Sequence, residues 1–156
     1  MNEIKWATVQ NVRDRYSWDL ANDDKLSTLA LLFSEGFSFL EDNKKKLIEE
    51  KETTGGGGNL LHLYITNNLA YLEPRYWGDD NLEEDEPNTC QIIIPRNVLL
   101  AIIDESMKWM KKEVDRVVFM HYKNHYFVAD RVLTEDELNA ILRDSQNQEI
   151  VAIKDN

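Results

Sequence analysis

The most regular apolar pattern in the chain lies between residues 24 and 51. Its members recur at steps of three and four, which places them on one face of a helix. They are Leu26, Leu29, Leu32, Phe33, Phe37, Leu40 and Leu47. Asn22 or Asp23 supplies the N-cap. Gly36 interrupts the pattern, and because glycine costs up to about 1 kcal/mol relative to alanine in a helix, it marks a kink, a close packing contact or a break into two helices.

Two further helices are predicted nearer the C-terminus. Pro95 opens the first turn of a helix that runs to about Glu113. Its apolar face is broad enough for the central core helix and comprises Val98, Leu99, Ile102, Ile103, Ser106, Met107 and Met110. Thr134 and Glu137 match a capping box, which opens a last helix that ends near Arg143.

The remaining patterned segments read as strands, four of them in two β-hairpins. The first hairpin joins 60–66 to 69–76 across Asn67 and Asn68, residues that tolerate the positive φ of a tight turn. The second hairpin joins 116–122 to 125–132 across Lys123 and Asn124. Short strands are also predicted at 4–9, 89–94 and 149–153, the last of them at a sheet edge. Residues 11–19 have no clean period.

Hairpins interrupted by helices predict an α+β fold, with an antiparallel or mixed sheet and about three helices packed mainly on one face. A chain of 156 residues fits a single globular domain, residues 1–156. The glycine run 55–58 lacks the lysine and the strand-then-helix setting of a phosphate-binding loop. It is interpreted as a flexible connector, of natural or engineered origin.

The charge balance changes the range of functions that the chain suits. It has 18 basic and 29 acidic residues, a net charge of −11. This charge repels phosphate backbones over a Debye length of about 10 Å at 0.1 M salt, so direct nucleic-acid binding is disfavoured. The same charge accelerates association with a basic protein, although solubility alone would also explain it.

The acidic residues are densest at 78–88, which we expect to be an exposed loop because it is too charged to be buried. We predict that this loop contacts a basic partner through its carboxylates, with nearby apolar anchors. The predicted contact residues are Tyr76, Trp77, Asp79, Asp80, Leu82, Glu83, Glu84, Asp85 and Glu86. A solvated loop without a partner is the alternative interpretation, and a calcium site is disfavoured because the EF-hand ligand order is absent.

Cysteine content and hydropathy indicate a compartment. Cys90 is the sole cysteine, so no intramolecular disulfide forms, and its position beside an apolar run predicts a buried, inert thiol. No apolar run approaches the ~20 residues needed to span a bilayer, and the N-terminus lacks a signal peptide. We therefore expect a cytoplasmic protein that does not insert into membranes.

No motif for covalent chemistry is present, so we predict a protein that is not an enzyme and needs no cofactor or metal. The residues that leave this question open are His62, His121 and His125, which would form a zinc site if the two hairpins brought them together. Their spacings match no metal-binding motif, and ordinary half-exposed strand positions explain them better than a metal site does.

The profile resembles, in type and without a shared motif, bacterial toxin-immunity proteins and phage-encoded inhibitors. We expect an acidic binding protein, of immunity or antitoxin type, that neutralises a basic nuclease-type toxin or enzyme by covering its active site or a nearby surface. The alternatives are a self-associating structural or assembly protein, and a small enzyme or ligand-binding protein with a histidine pocket. The sequence leaves the partner and the oligomeric state open.

Overall fold

The computed structural model describes residues 3–13, 15–49, 53–57, 61–74, 90–144 and 152–154. Within this part of the chain the elements follow in the order β1 (Lys5–Val12), β2 (Arg15–Ala21), α1 (Asp24–Ser34), α2 (Phe37–Glu49), β3 (Thr53–Gly57), β4 (Leu61–Ile65), β5 (Leu69–Pro74), β6 (Ile92–Pro95), α3 (Arg96–Lys111), β7 (Arg116–Tyr122), β8 (His125–Ala129), α4 (Glu135–Arg143) and β9 (Ala152–Lys154).

The strands form two antiparallel sheets. The larger sheet has the order β2-β1-β7-β8-β9, and the smaller one has the order β3-β4-β5-β6. Most neighbouring strands are also consecutive in the chain, as in hairpins, and the β1–β7 pair joins the two halves of the larger sheet. The predicted α+β class is confirmed, with two sheets instead of one.

Helix α1 lies between the two sheets. Every residue from Leu26 to Phe33 is buried, which is the pattern of a helix enclosed on all sides. It contacts β1, β2 and β7 of the larger sheet and β4, β5 and β6 of the smaller sheet. Helix α3 packs against α2 and also touches both sheets, so the main core is a helical layer covered by a sheet on each side.

Helix α4 covers the opposite face of the larger sheet. Alternate residues of β7 separate the two faces, since Val117 and Phe119 join the main core while Val118 and Met120 face α4. Leu138 and Ile141 of α4 complete this second, smaller core. Three of the four helices in the described chain thus lie on one face of the larger sheet, close to the predicted arrangement.

Gly36 divides the helix predicted for 24–51 into two. The backbone φ of Gly36 is +108°, in a region that residues other than glycine rarely adopt. A Cβ placed there would meet no atom within 4 Å, so the glycine is needed for its backbone conformation and not for close packing. Of the three roles that the sequence left open, the break into two helices is correct.

The helix ends follow their sequence signals. Asp23 caps α1, and its carboxylate accepts a hydrogen bond from the amide of Leu26 at 3.0 Å. The predicted capping box at Thr134 and Glu137 is present in full. The Thr134 backbone amide lowers the pKa of the Glu137 carboxyl group, because it donates a hydrogen bond to the charged form.

Both predicted hairpins form, with different turns. Lys123 and Asn124 have φ values of 50° and 61°, as a type I′ turn requires. The positive φ expected at Asn67 and Asn68 is absent. That turn is closed by the Thr66 amide, which donates to the Leu69 carbonyl at 2.9 Å.

Strand β2 has no counterpart among the sequence predictions, because a bulge disrupts its alternation. Asp19 and Leu20 together lie opposite Thr8 of β1, where the register shifts. The Thr8 hydroxyl accepts from the Leu20 amide and donates to the Leu20 carbonyl, each at 3.1 Å. A buried threonine therefore satisfies the backbone groups that the bulge removes from the ladder.

Two other expectations are wrong. The run 55–58 was expected to be a flexible connector, but its first three glycines belong to β3, which pairs with β4; residue 58 lies outside the described chain. Strand pairing uses backbone groups alone, so glycine forms the ladder despite its low strand propensity. Cys90 was expected to be buried, yet it is partly exposed.

Candidate functional site

The predicted contact residues of the acidic loop lie outside the described chain. Residues 75–89 are not described, and they include every predicted contact from Tyr76 to Glu86. The description ends at Pro74, the last residue of β5, and resumes at Cys90, two residues before β6. Both flanks of the acidic segment are therefore fixed to adjacent strands of the smaller sheet.

An aromatic surface lies on that same sheet, on the side away from the helices. It consists of alternate residues of β4, β5 and β6, here called the outer face: His62, Tyr64, Tyr71, Glu73 and Ile93. Their neighbours in sequence, including Leu63 and Leu72, point inward and are fully buried.

The strand register aligns these side chains into rows. Tyr64 lies opposite Tyr71, and Tyr71 lies opposite Ile93, so an aromatic and aliphatic row crosses three strands. Ile93 is 51% exposed, which is high for an isoleucine in a strand. In the next row His62 lies opposite Glu73, whose carboxylate accepts a hydrogen bond from the Gln91 side chain at 2.5 Å.

The three histidines, which the sequence left open as a zinc site, do not come together. His62 is on the smaller sheet, whereas His121 and His125 are on the larger one. The turn pairs Tyr122 with His125, so His121 and His125 project from opposite faces of their sheet. Among the described residues no group of three histidine, cysteine, aspartate or glutamate side chains is placed to hold a metal.

The edge strand β2 of the larger sheet is where a second copy of the chain could add a strand, as the self-association alternative requires. Val12, Trp18 and Leu20 are exposed on or beside the edge strand β2. However, the outward-facing Trp18 amide donates to the Ser34 hydroxyl of α1 at 2.8 Å. Helix α1 therefore occupies part of the edge to which another strand would add.

A cleft of about 270 Å³ opens where the β1–β2 hairpin, the α1–α2 turn and the end of α3 meet. Phe33, Leu40 and Met110 form its apolar floor, and Tyr16, Arg15 and Glu113 stand at its polar side. The Tyr16 hydroxyl donates to the Val114 carbonyl at 2.7 Å, which joins the hairpin to the end of α3.

The environment of Tyr16 favours its neutral form. Burial raises the pKa of the Tyr16 phenol because it desolvates the phenolate; the Asn11 side chain opposes this through a hydrogen bond, and the Glu113 and Asp115 carboxylates add to the rise. The pKa of Tyr16 is higher in the folded state than the 10.0 of a free tyrosine. The neutral phenol therefore contributes fully to the stability of the fold below about pH 10, and this contribution is lost as the pH rises through the folded-state pKa.

We expect Tyr16→Phe to lower the free energy of unfolding at neutral pH by about 1 kcal/mol, the usual contribution of one hydrogen bond. The stability of the parent chain should fall more steeply above pH 10 than that of the variant, because only the parent loses the Tyr16 contribution. Urea unfolding followed by circular dichroism from pH 7 to about pH 11 measures both effects. A variant as stable as the parent, with the same alkaline slope, would contradict this role.

The described chain contains no helix both long and apolar enough to cross a membrane. Comparison with known protein families, with curated proteins and with solved structures found no match. The features of the chain that indicate a function are its charge, the strands that flank its acidic segment and the surfaces of its two sheets.

Proposed function

We propose that this chain is an acidic inhibitory binding protein, of bacterial immunity or antitoxin type. It neutralises a basic nuclease-type toxin or enzyme by covering that protein's active site or a nearby surface. It acts in the cytoplasm, by binding and without covalent chemistry of its own.

The observation that carries the proposal is that the two strands flanking the acidic segment in the chain, β5 and β6, also form part of the outer face. Six carboxylates occur between Asp79 and Glu86. The strands on either side of this segment, β5 and β6, also carry Tyr71 and Ile93 of the aromatic row. Protein interfaces combine apolar and aromatic anchors with a charged surround, and this part of the chain supplies both.

The charges define the partner's chemistry. A segment so rich in carboxylates pairs with lysine and arginine side chains, which enzymes that act on nucleic acid present to phosphate groups. The net charge of −11 attracts such a surface before contact and raises the rate of encounter. Occupying that surface would exclude the partner's own anionic substrate.

The experiment that tests the proposal begins with capture of the partner. The tagged chain is incubated with lysate of its native host at low salt, washed and eluted with high salt, and the eluted proteins are identified by mass spectrometry. The purified partner's enzymatic activity is then measured with and without the chain. We expect one basic protein whose activity falls in proportion to the added chain.

Two outcomes would contradict the proposal. One is a captured partner that is acidic or neutral and resists salt elution. The other is a basic partner that stays fully active when saturated with the chain. That result would show that the chain binds the partner without inhibiting it.

A further inference from the structure

The cleft between the β1–β2 hairpin and the end of α3 has the composition of a small-ligand site. Its floor is apolar and buried, with Phe33 and Leu40 each 1% exposed. Its volume of about 270 Å³ lies just below the range of roughly 300–1,000 Å³ that holds drug-sized molecules. A ligand that fits is therefore small and largely apolar.

The rim of the cleft carries two opposite charges, Arg15 and Glu113. Arg15 and Glu113 both line the cleft and are exposed, and within the described part of the chain neither forms an ion pair or a side-chain hydrogen bond. A guanidinium binds a carboxylate through paired hydrogen bonds, and a carboxylate binds an ammonium group. The rim thus suits a ligand that carries both charges.

The backbone conformation at Glu113 would favour glycine, so we infer that glutamate is present there for its side chain. Its φ is 57°, in the left-handed region, and it follows the C-cap of α3, where glycine is the favoured residue. Its amide donates to the Met110 carbonyl at 3.0 Å, which holds this turn closed. The negative end of the α3 dipole lies beside it and also favours a cationic group.

We propose that this cleft binds a free α-amino acid with a large apolar side chain. The side chain enters the apolar floor, the carboxylate pairs with Arg15, and the ammonium group pairs with Glu113. The cleft shares no residue with the outer face, so this proposal stands or falls independently of the inhibitory function.

The probe is L-phenylalanine, titrated into the ¹⁵N-labelled full chain and followed by the backbone amide shifts of Tyr16, Gly36 and Glu113. Three matched probes each lack one feature: 3-phenylpropionate lacks the ammonium group, phenethylamine lacks the carboxylate, and L-alanine lacks the ring. We expect saturable shifts with L-phenylalanine and an affinity about tenfold lower for each of the others, a difference of about 1.4 kcal/mol.

Two charge-neutralising variants test which side chain binds which charged group of the ligand. Arg15→Gln should weaken L-phenylalanine and 3-phenylpropionate while leaving phenethylamine unchanged, and Glu113→Gln should weaken L-phenylalanine and phenethylamine while leaving 3-phenylpropionate unchanged. Arg143→Gln on α4 and Glu3→Gln, two residues before β1, are the matched controls and should leave the affinity for L-phenylalanine unchanged. The proposal is overturned if L-phenylalanine causes no saturable shifts at the cleft, if it binds no better than the truncated probes, or if both cleft variants bind it as the parent does.

Discussion

Replacing Phe119 with alanine is expected to lower the free energy of unfolding by about 3–5 kcal/mol. Phe119 is 1% exposed on β7, a strand paired on both sides. Its ring stacks on Phe33 of α1 with the ring centroids 4.5 Å apart, so it joins the larger sheet to the central helical layer. Removal of the ring leaves a cavity at this junction, which the rigid layers on either side fill only in part.

Chemical denaturation followed by circular dichroism measures the Phe119→Ala effect, and Ile48→Ala is the control. Ile48 is 60% exposed on α2, so its truncation should change stability by no more than about 0.5 kcal/mol. A domain of this size is stable by about 5–15 kcal/mol in total, so the Phe119 variant loses a large share of its stability. Equal effects of the two substitutions would contradict the layered core described above.

The largest expected effect on binding follows from neutralising the acidic segment. The triple variant Glu83→Gln, Glu84→Gln and Asp85→Asn should slow association with the captured partner by about tenfold or more, since charge complementarity changes encounter rates by factors of about 10 to 1,000. Stopped-flow mixing or surface plasmon resonance at low salt gives the rate.

A matched triple variant separates location from net charge. Glu41→Gln, Asp42→Asn and Glu49→Gln remove the same three charges from exposed positions of α2. Because this control leaves every carboxylate of the acidic segment in place, it should slow association much less. Equal slowing by both variants would mean that overall charge, and not the acidic segment, guides the partner.

The elements that the sequence predicted well are those specified by local signals. The seven positions expected on the inner side of the third helix are all buried, and Pro95 precedes α3 as its N-cap. Thr134 and Glu137 form their capping box because the motif spans four residues and needs no tertiary partner. Lys123 and Asn124 adopt the positive φ values of a two-residue hairpin turn.

The elements that the sequence missed depend on distant partners. Strand β2 follows no simple period because the bulge opposite Thr8 shifts its register, and most of its side chains are exposed at a sheet edge. Strand β3 is glycine-rich and forms by backbone pairing with β4. The division into two sheets around α1 was also missed, because the apolar spacing indicated one buried face whereas every residue from Leu26 to Phe33 is buried.

The outer face could have been found from the sequence, since the first predicted hairpin already implied it. Leu61, Leu63 and Ile65 alternate with His62 and Tyr64, so an inward apolar set fixes an outward aromatic one. The same alternation places His121 and His125 on opposite faces of the sheet, given a two-residue turn at Lys123 and Asn124. The acidic contact residues stay a prediction, because they lie outside the described chain.

We propose that an acidic surface of this chain binds and inhibits a basic protein. The most direct test of this claim is the equilibrium affinity of the purified chain for the captured partner, measured by calorimetry over a series of salt concentrations. We expect a tight complex at low salt whose affinity falls steeply as salt rises, because paired charges are screened. An affinity that does not change with salt would contradict the claim.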